Sequence, residues 1–303
     1  MPAPPDPAID RPLRPGRQTF RGLATAAAAA FALAVGLLLV VDLVFIVEFW
    51  LRASPESVGK FQAEVFSAET RRELVLSLAS ATLTTALALL VATPAGYALS
   101  RFRIPAKVLV DTLVDAAIVM PPLIMGVSLL VALSLVRRAA ETVGTPEEPN
   151  PLLWGLFAGI IQHKAGIILA QFFVAAALAI RSMKAAFDAA DRRVEDVALT
   201  LGCTRFGAFW RAALPQARSG LLTGAVIAWS YTMGLFAPVA IVAGTVRGKD
   251  GTAILPTRAY LEVTNGQIEI ALALTLVMAA IAMTVLVALK VAVRRPAAGG
   301  FGP

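Results

Sequence analysis

Long runs of apolar residues dominate the chain. They occupy residues 23–47, 74–99, 116–136, 219–246 and 270–289, and only Asp42 interrupts the first. Each run has roughly the 20 residues that a helix needs to cross the hydrocarbon core of a bilayer. His163 and Lys164 divide a sixth region, 149–180, so that 149–161 is too short to cross, whereas 165–180 crosses if Lys164 and Arg181 reach the two interfaces. The pattern therefore predicts an all-α, polytopic transmembrane bundle of six spans.

Composition agrees with a membrane protein and sets the domain bounds. Of the 303 residues, 58% are hydrophobic and 16% charged, whereas soluble domains average about 25% charged residues. Residues 1–21, rich in proline and arginine, and residues 294–303 are predicted to be disordered tails that flank a single transmembrane domain, 22–293.

The net charge is +7, and most of the Lys and Arg residues lie just outside the apolar runs rather than in a basic stripe. If the first tail is cytoplasmic, 17 of the 27 Lys and Arg residues are cytoplasmic, in agreement with the positive-inside rule. Both termini are then inside, and the loops near residues 60, 147 and 249 are outside. Membrane lipid is the expected partner of these cations, and nucleic acid is not.

The sequence offers no set of residues for catalysis or for binding a metal. His163 is the sole histidine and Cys203 the sole cysteine, so neither a metal site nor a Ser/His/Asp triad can be assembled. The segment Gly244–Asp250 superficially resembles a phosphate-binding loop. Such a loop has four residues between its two glycines and Ser or Thr after its lysine, whereas this segment has three residues between its glycines and Asp after the lysine. We expect neither a catalytic residue nor a cofactor.

The loop 181–218 has a helical periodicity of apolar residues that a simple connecting loop would not have. Val194, Val197, Ala198 and Leu201 recur at helical spacing, and Gly202 then ends the pattern as a helix C-terminal glycine does. A second short helix follows, with Phe206, Phe209, Trp210 and Ala213 on one side and Pro215 at its end. These aromatic residues suit an anchor in the groove of a partner protein. The alternative is a helix that lies on the inner leaflet.

The same loop resembles the EAA loop of permease subunits of ATP-binding-cassette (ABC) importers. Asp196-Val197-Ala198, three residues, Gly202, and then Leu214-Pro215 keep the spacing of that family, with Asp for Glu and Val for Ala. The resemblance implies a coupling function for eight residues: Asp196, Ala198, Gly202, Phe206, Phe209, Trp210, Leu214 and Pro215.

What the resemblance further implies is the type I importer architecture in a bacterial inner membrane. Two six-helix permease subunits share one pathway, two cytoplasmic ATPases bind the ATP, and an external solute-binding protein delivers the cargo. The second permease subunit is either a copy of this chain or a different one. This chain itself is then not an enzyme.

The cargo is a separate question. The stretches Leu169–Ala175 and Leu255–Val263 resemble the molybdate/sulfate/tungstate group of permeases, which implies a small oxyanion. The expected pathway residues are hydroxyl-bearing and uncharged: Thr82, Thr85, Ser230 and Thr232. The alternative is that these hydroxyls satisfy neighbouring backbone groups or contacts between spans.

One departure from that group keeps other cargoes open. Where the group has Gly-Glu-Phe-Gly, this chain has Gly234-Leu235-Phe236-Ala237-Pro238. A polyamine, a metal chelate or an organic anion is therefore an alternative cargo. A secondary transporter is the alternative from another class, but Asp42 and Asp115 lie near span ends rather than at mid-membrane.

Small residues and prolines predict how the spans pack. Pro94, Pro121, Pro122 and Pro238 lie within the runs and predict kinks that neighbouring helices support. Gly220 and Gly224 have the four-residue spacing that allows two helices to approach closely.

Overall fold

The computed structural model describes residues 16–102, 105, 107–143, 149–248 and 250–294. In this part of the chain all the regular structure is helical, and it includes a π-helical turn, Phe209–Ala213. The α-helices are α1 Gly16–Arg52, α2 Pro55–Val65, α3 Ala68–Arg101, α4 Lys107–Val119, α5 Pro122–Val143, α6 Pro151–Ile160, α7 Lys164–Ala189, α8 Arg192–Thr200, α9 Arg205–Ala208, α10 Leu214–Gln216, α11 Arg218–Gly234, α12 Ala237–Val242, α13 Leu255–Thr264 and α14 Ile268–Arg294.

The predicted all-α membrane fold is confirmed. Five described helices are long and apolar enough to span a membrane: 25–52 of α1, α3, α5, α7 and 268–288 of α14. The remaining predicted span, 219–246, contains α11, whose 17 residues extend for roughly 26 Å. α1 belongs to one compact unit and the chain from Pro55 onward to another.

The predicted tails coincide only partly with the described residues. Residues 1–15 and 295–303 lie outside them. Residues 16–21, which the sequence placed in the first tail, already belong to α1, and Arg294 is the last residue of α14. Most side chains of α1 between residues 25 and 52 are exposed, as is normal for a helix that faces lipid or another subunit.

The helices α3, α7 and α11 form the centre of the second unit. Their contact surfaces are built from small residues, among them Ala88, Ala92, Ala175 and Ala228, which are fully buried. Gly220 and Gly224 of α11 lie against Ala186 and Ser182 of α7 so closely that a Cβ atom on Gly220 would collide with the Cβ of Ala186. The predicted close approach of helices at these glycines is confirmed.

Two of the predicted spans are interrupted. The run 116–136 divides between α4, which ends at Val119, and α5, which begins at Pro122. Two consecutive prolines remove two backbone donors, so a continuous helix cannot pass this point. The kink predicted here is therefore a complete break, whereas Pro94 lies inside the continuous helix α3.

The run 219–246 is the second interrupted span and corrects the prediction of one long helix. α11 ends at Gly234, the short α12 follows with Pro238 in its first turn, and Gly244 then adopts a φ of +76°. α12 packs against α5, where Gly126 leaves room for Pro238. Apolar composition did not reveal this break because both segments are buried in an apolar environment.

The region 149–161 forms the ten-residue helix α6, which is too short to cross, as predicted. Asn150 caps its first turn by accepting hydrogen bonds from the backbone N–H groups of Leu152 and Leu153. At its end Gln162 has a φ of +55° and donates its backbone N–H to the carbonyl of Val242. The helix packs against α5 and α7.

Candidate functional site

The loop 181–218 is more helical than the sequence predicted. Residues 181–189 continue α7, and α8 begins after Asp191, whose side chain accepts a hydrogen bond from the backbone N–H of Arg193. α8 ends at Thr200, and Gly202, two residues later, has a φ of +86°. The N–H groups of Cys203 and Gly202 donate to the carbonyls of Ala198 and Leu199, which is the Schellman arrangement. The predicted helix end at Gly202 is confirmed.

The second helix of the loop departs from its predicted form. Thr204 caps α9 by accepting from the N–H of Gly207, and the chain then widens into the π-helical turn. Leu214 and Pro215 lie in α10, so Pro215 does not stop the helix; the interruption occurs at Ala217, immediately before α11. Proline is tolerated here because it occupies the first positions of a short helix.

The apolar face predicted on α8 points away from the bundle. Val194, Val197 and Leu201 are exposed, and Ala198 is half-buried. Asp196, the first residue of the EAA-like motif, is also exposed. These residues form an exposed apolar surface with an acidic residue beside it.

The aromatic residues of the loop divide into two groups. Phe206 is 72% exposed and Trp210 is 53% exposed, with ring centroids 6.2 Å apart. Phe209 instead turns inward and contacts Tyr97 of α3, at 4.8 Å between centroids, and Phe187 of α7. Phe206 and Trp210 therefore extend the exposed surface of α8, whereas Phe209 attaches the loop to the bundle.

Glu195 is the residue that the sequence analysis missed. Its carboxylate is 9% exposed and accepts hydrogen bonds from Arg101 Nε at 2.8 Å and from the Tyr97 hydroxyl at 3.0 Å. Arg101, whose side chain is 6% exposed, also donates to the carbonyl of Ala190. Separating these buried charges is unfavourable, because each would be left uncompensated in a low-dielectric environment.

Further polar contacts join the same elements. Arg192 donates to the carbonyl of Ser100 at 2.6 Å, and the Ser100 hydroxyl donates to Asp188 at 2.6 Å. α8 is thus held against the end of α3 by several hydrogen bonds. α3 is the longest helix of the second unit.

The four hydroxyls predicted to line a pathway do not converge on one site. Thr85 and Thr232 are buried, and their hydroxyls donate to the carbonyls of Ala81 and Trp229. Ser230 donates to the carbonyl of Val226, and Thr82 accepts from the indole N–H of Trp229. Ser230 also borders a cleft with Tyr231 and Phe236. In this conformation Thr85, Ser230 and Thr232 therefore bond to backbone of their own helix, and Thr82 makes a contact between α3 and α11.

Gln171, in the stretch Leu169–Ala175, makes the most buried polar link between the central helices. Its amide oxygen accepts from the Thr84 hydroxyl at 3.1 Å, and its nitrogen donates to the carbonyl of Thr232 at 3.2 Å. The residue connects α3, α7 and α11 and is 1% exposed. It was not predicted, since a single glutamine in an apolar run gives no indication of its partner.

At the opposite end of α3 a charged network holds α2, α3, α13 and the segment before α13 together. Arg258, 1% exposed, contacts Glu64, Glu73 and Glu262. Arg247 contacts Glu64 at 2.6 Å and Glu69 at 3.1 Å. Desolvation opposes the charge of Arg247, but these carboxylates outweigh it and raise its pKa above the ordinary value. In the ranges described, no three His, Cys, Asp or Glu side chains are grouped as metal ligands.

Residues 85–297 match the family model of the binding-protein-dependent transport system inner membrane component. The chain belongs to this family. The matched range contains the loop with Gly202, Phe206 and Trp210, so the permease carries its exposed surface in a part of the fold that the family shares.

Two relatives of the permease are named as transporters of molybdenum compounds. The molybdate/tungstate transport system permease protein WtpB of Thermococcus kodakarensis is 34% identical over 55% of this chain and 58% of its own length. The molybdenum transport system permease protein ModB of Mycobacterium bovis is 31% identical over 78% of this chain and 84% of its own. The predicted resemblance to the molybdate group is confirmed.

A solved structure supports the fold. The bacterial alginate ABC transporter, crystallised in complex with an alginate pentasaccharide-bound periplasmic protein, contains a chain that superposes with a TM-score of 0.60. The superposition covers 88% of the permease and 96% of that chain, at 15% identity. At this identity the likeness concerns the fold alone.

Proposed function

We propose that this permease transmits ATP-driven movements of a separate cytoplasmic ATPase to its own helices through the exposed surface of α8 and α9. The observation that carries the proposal is the orientation of that loop. Val194, Val197, Leu201, Phe206 and Trp210 are exposed together, while Glu195 and Phe209 fix the other side of the loop to α3. A coupling loop needs a surface that binds the ATPase and contacts that attach it to the transmembrane helices. This loop has the two on opposite faces.

Such a coupling loop functions only within a complete transporter complex, which is part of the proposal. The pathway lies between this permease and a second permease subunit, two ATPase subunits bind the ATP, and an external solute-binding protein supplies the cargo. Both termini and the loop 181–218 are cytoplasmic, as the distribution of Lys and Arg favours. The inward-facing residues explain why the apolar surface of α8 remains available: Glu195, not Val194 or Val197, meets the bundle.

Docking is tested with the two exposed aromatics. Truncating an interface hot spot costs about 2 kcal/mol or more, which is roughly a thirtyfold loss of affinity. Phe206→Ala with Trp210→Ala is therefore expected to release the ATPase from the purified complex, as measured by co-purification and by cargo-stimulated hydrolysis. Phe66→Ala with Trp154→Ala is the matched control, since both side chains are exposed and lie outside the loop. Normal ATPase binding by the loop variant would favour the alternative, a loop lying on the inner leaflet.

The proposed cargo is a small tetrahedral oxyanion of the molybdate or tungstate kind. Support comes from the names of WtpB and ModB and from the uncharged hydroxyl of Ser230, which borders a cleft. A conduit must bind its cargo weakly enough to release it, and neutral donors such as Ser230 meet that need. The test is calorimetric titration of the co-encoded binding protein with molybdate, tungstate and sulfate. Binding of a cation or an organic ligand in their place would refute the cargo but not the coupling function.

A further inference from the structure

A cavity lies at the end of α3 opposite the loop 181–218. It is bordered by the first turns of α3, the start of α7, and residues 246–248, 251 and 253 between α12 and α13. Its volume of ≈ 360 Å³ falls within the range of sites that hold small molecules. The coupling function proposed above does not use it.

Three cations border this cavity without a counterion. Arg71, Arg72 and Lys164 are exposed, and none of them forms an ion pair or side-chain hydrogen bond with the described part of the chain. The two carboxylates that also border the cavity, Glu69 and Glu73, are already paired with Arg247 or Arg258. The cavity therefore has an excess of positive charge that no described residue neutralises.

The start of α7 adds a second source of positive potential. α7 has no acidic residue in its first turn, and its N-cap residue His163 makes no side-chain capping hydrogen bond. The N-terminal end of a helix attracts anions and is an unfavourable place for a cation such as Lys164. A phosphate-type anion at this point would be stabilised by the helix dipole and would compensate the charge of the lysine.

The interior of the cavity is apolar. Val75, Leu76 and Ala79 follow the two arginines by one and two turns of α3, toward the middle of the span. Val246 and Ala253 border it from the other side. The cavity thus has cations at the height of the headgroups and apolar side chains deeper in the bilayer, which is the polarity profile of a phospholipid.

We propose that this cavity binds the phosphate of an anionic phospholipid in the leaflet opposite the loop 181–218. Arg71, Arg72 and Lys164 hold the headgroup, and an acyl chain covers Val75, Leu76 and Ala79. A free inorganic oxyanion has the same phosphate-type chemistry and suits the same cations. The apolar interior distinguishes the two sources, because a free oxyanion gains nothing from contact with apolar side chains.

The headgroup contacts are tested by phosphatidylglycerol titration of the purified transporter complex, with bound lipid counted by native mass spectrometry. Each cation near a membrane surface contributes roughly fivefold to binding an anionic lipid. Arg71→Gln with Arg72→Gln is therefore expected to weaken phosphatidylglycerol binding about thirtyfold and to leave phosphatidylcholine binding unchanged. Arg137→Gln with Arg138→Gln is the matched control, because these arginines are also adjacent and exposed, and Arg137 already pairs with Glu141. Equal binding by the two double variants would overturn the proposal.

The acyl contact is tested with Ala79→Trp, which fills the apolar part from an exposed position and leaves the cations in place. This variant is expected to weaken phosphatidylglycerol binding, and millimolar inorganic phosphate or molybdate is expected not to displace the lipid. Displacement by those anions, together with unchanged binding by Ala79→Trp, would refute the lipid and assign the site to a free oxyanion.

Discussion

The buried pair of Glu195 and Arg101 allows the most direct test of how the loop is attached. Replacing Glu195 by Gln removes the negative charge but keeps the size of the side chain. Arg101 then remains 6% exposed, with its Nε and Nη2 atoms no longer facing a carboxylate at 2.8 and 2.7 Å. We expect the replacement to weaken the attachment of α8 to α3.

The magnitude follows from burial. Removing one partner of a buried ion pair costs 3–5 kcal/mol, because the remaining charge is left without compensation. The amide of Gln still offers an oxygen to Arg101 or Tyr97, so we expect the lower end, about 3 kcal/mol. This corresponds to roughly a 150-fold larger population of the opened loop.

Hydrogen exchange measures that population directly. The backbone amides of residues 192–201 are expected to exchange up to about 150-fold faster in Glu195→Gln, because exchange follows local opening. Asp196→Asn is the matched control: it removes the same charge from the neighbouring, exposed position and is expected to change exchange very little. Arg101→Gln combined with Glu195→Gln is expected to recover part of the loss, since no buried charge then remains. Equal exchange in Glu195→Gln and Asp196→Asn would refute the attachment by this pair.

Three further predictions concern backbone geometry and topology. Gly202→Ala is expected to destabilise the end of α8 by about 1–2 kcal/mol, because an L-residue is strained at a φ of +86°, and exchange of the Cys203 amide measures it. Gly220→Ala is expected to lower the thermal unfolding temperature, because its Cβ would collide with that of Ala186, whereas Gly234→Ala in the same helix meets open space and is expected to be neutral. In a Cys203→Ser background, an impermeant thiol reagent is expected to label a cysteine at 137 and not one at 193 in intact cells; the opposite pattern would invert the orientation of the permease.

The sequence by itself determined that the protein lies in a membrane, that its spans are helical and where α8 ends. A run of apolar residues long enough to cross a bilayer leaves few alternatives to a helix, since every backbone group must be bonded within the segment. The end of α8 was equally local, because the conformational freedom of Gly202 does not depend on distant residues. The EAA-like spacing likewise depends on neighbouring residues alone, and it located the loop to which we assign the proposed coupling function.

The tertiary structure decided which side of each helix meets protein. In lipid an apolar side chain gives no indication of whether its neighbour is a lipid or another helix. Pro238 predicted a kink in the run 219–246, but the complete break between α11 and α12 was not predicted. The inward position of Glu195 depends on Arg101, 94 residues earlier in the chain, and that of Phe209 on Tyr97. Such partners meet only when α3 and the loop are packed together, and local sequence carries no information about that contact.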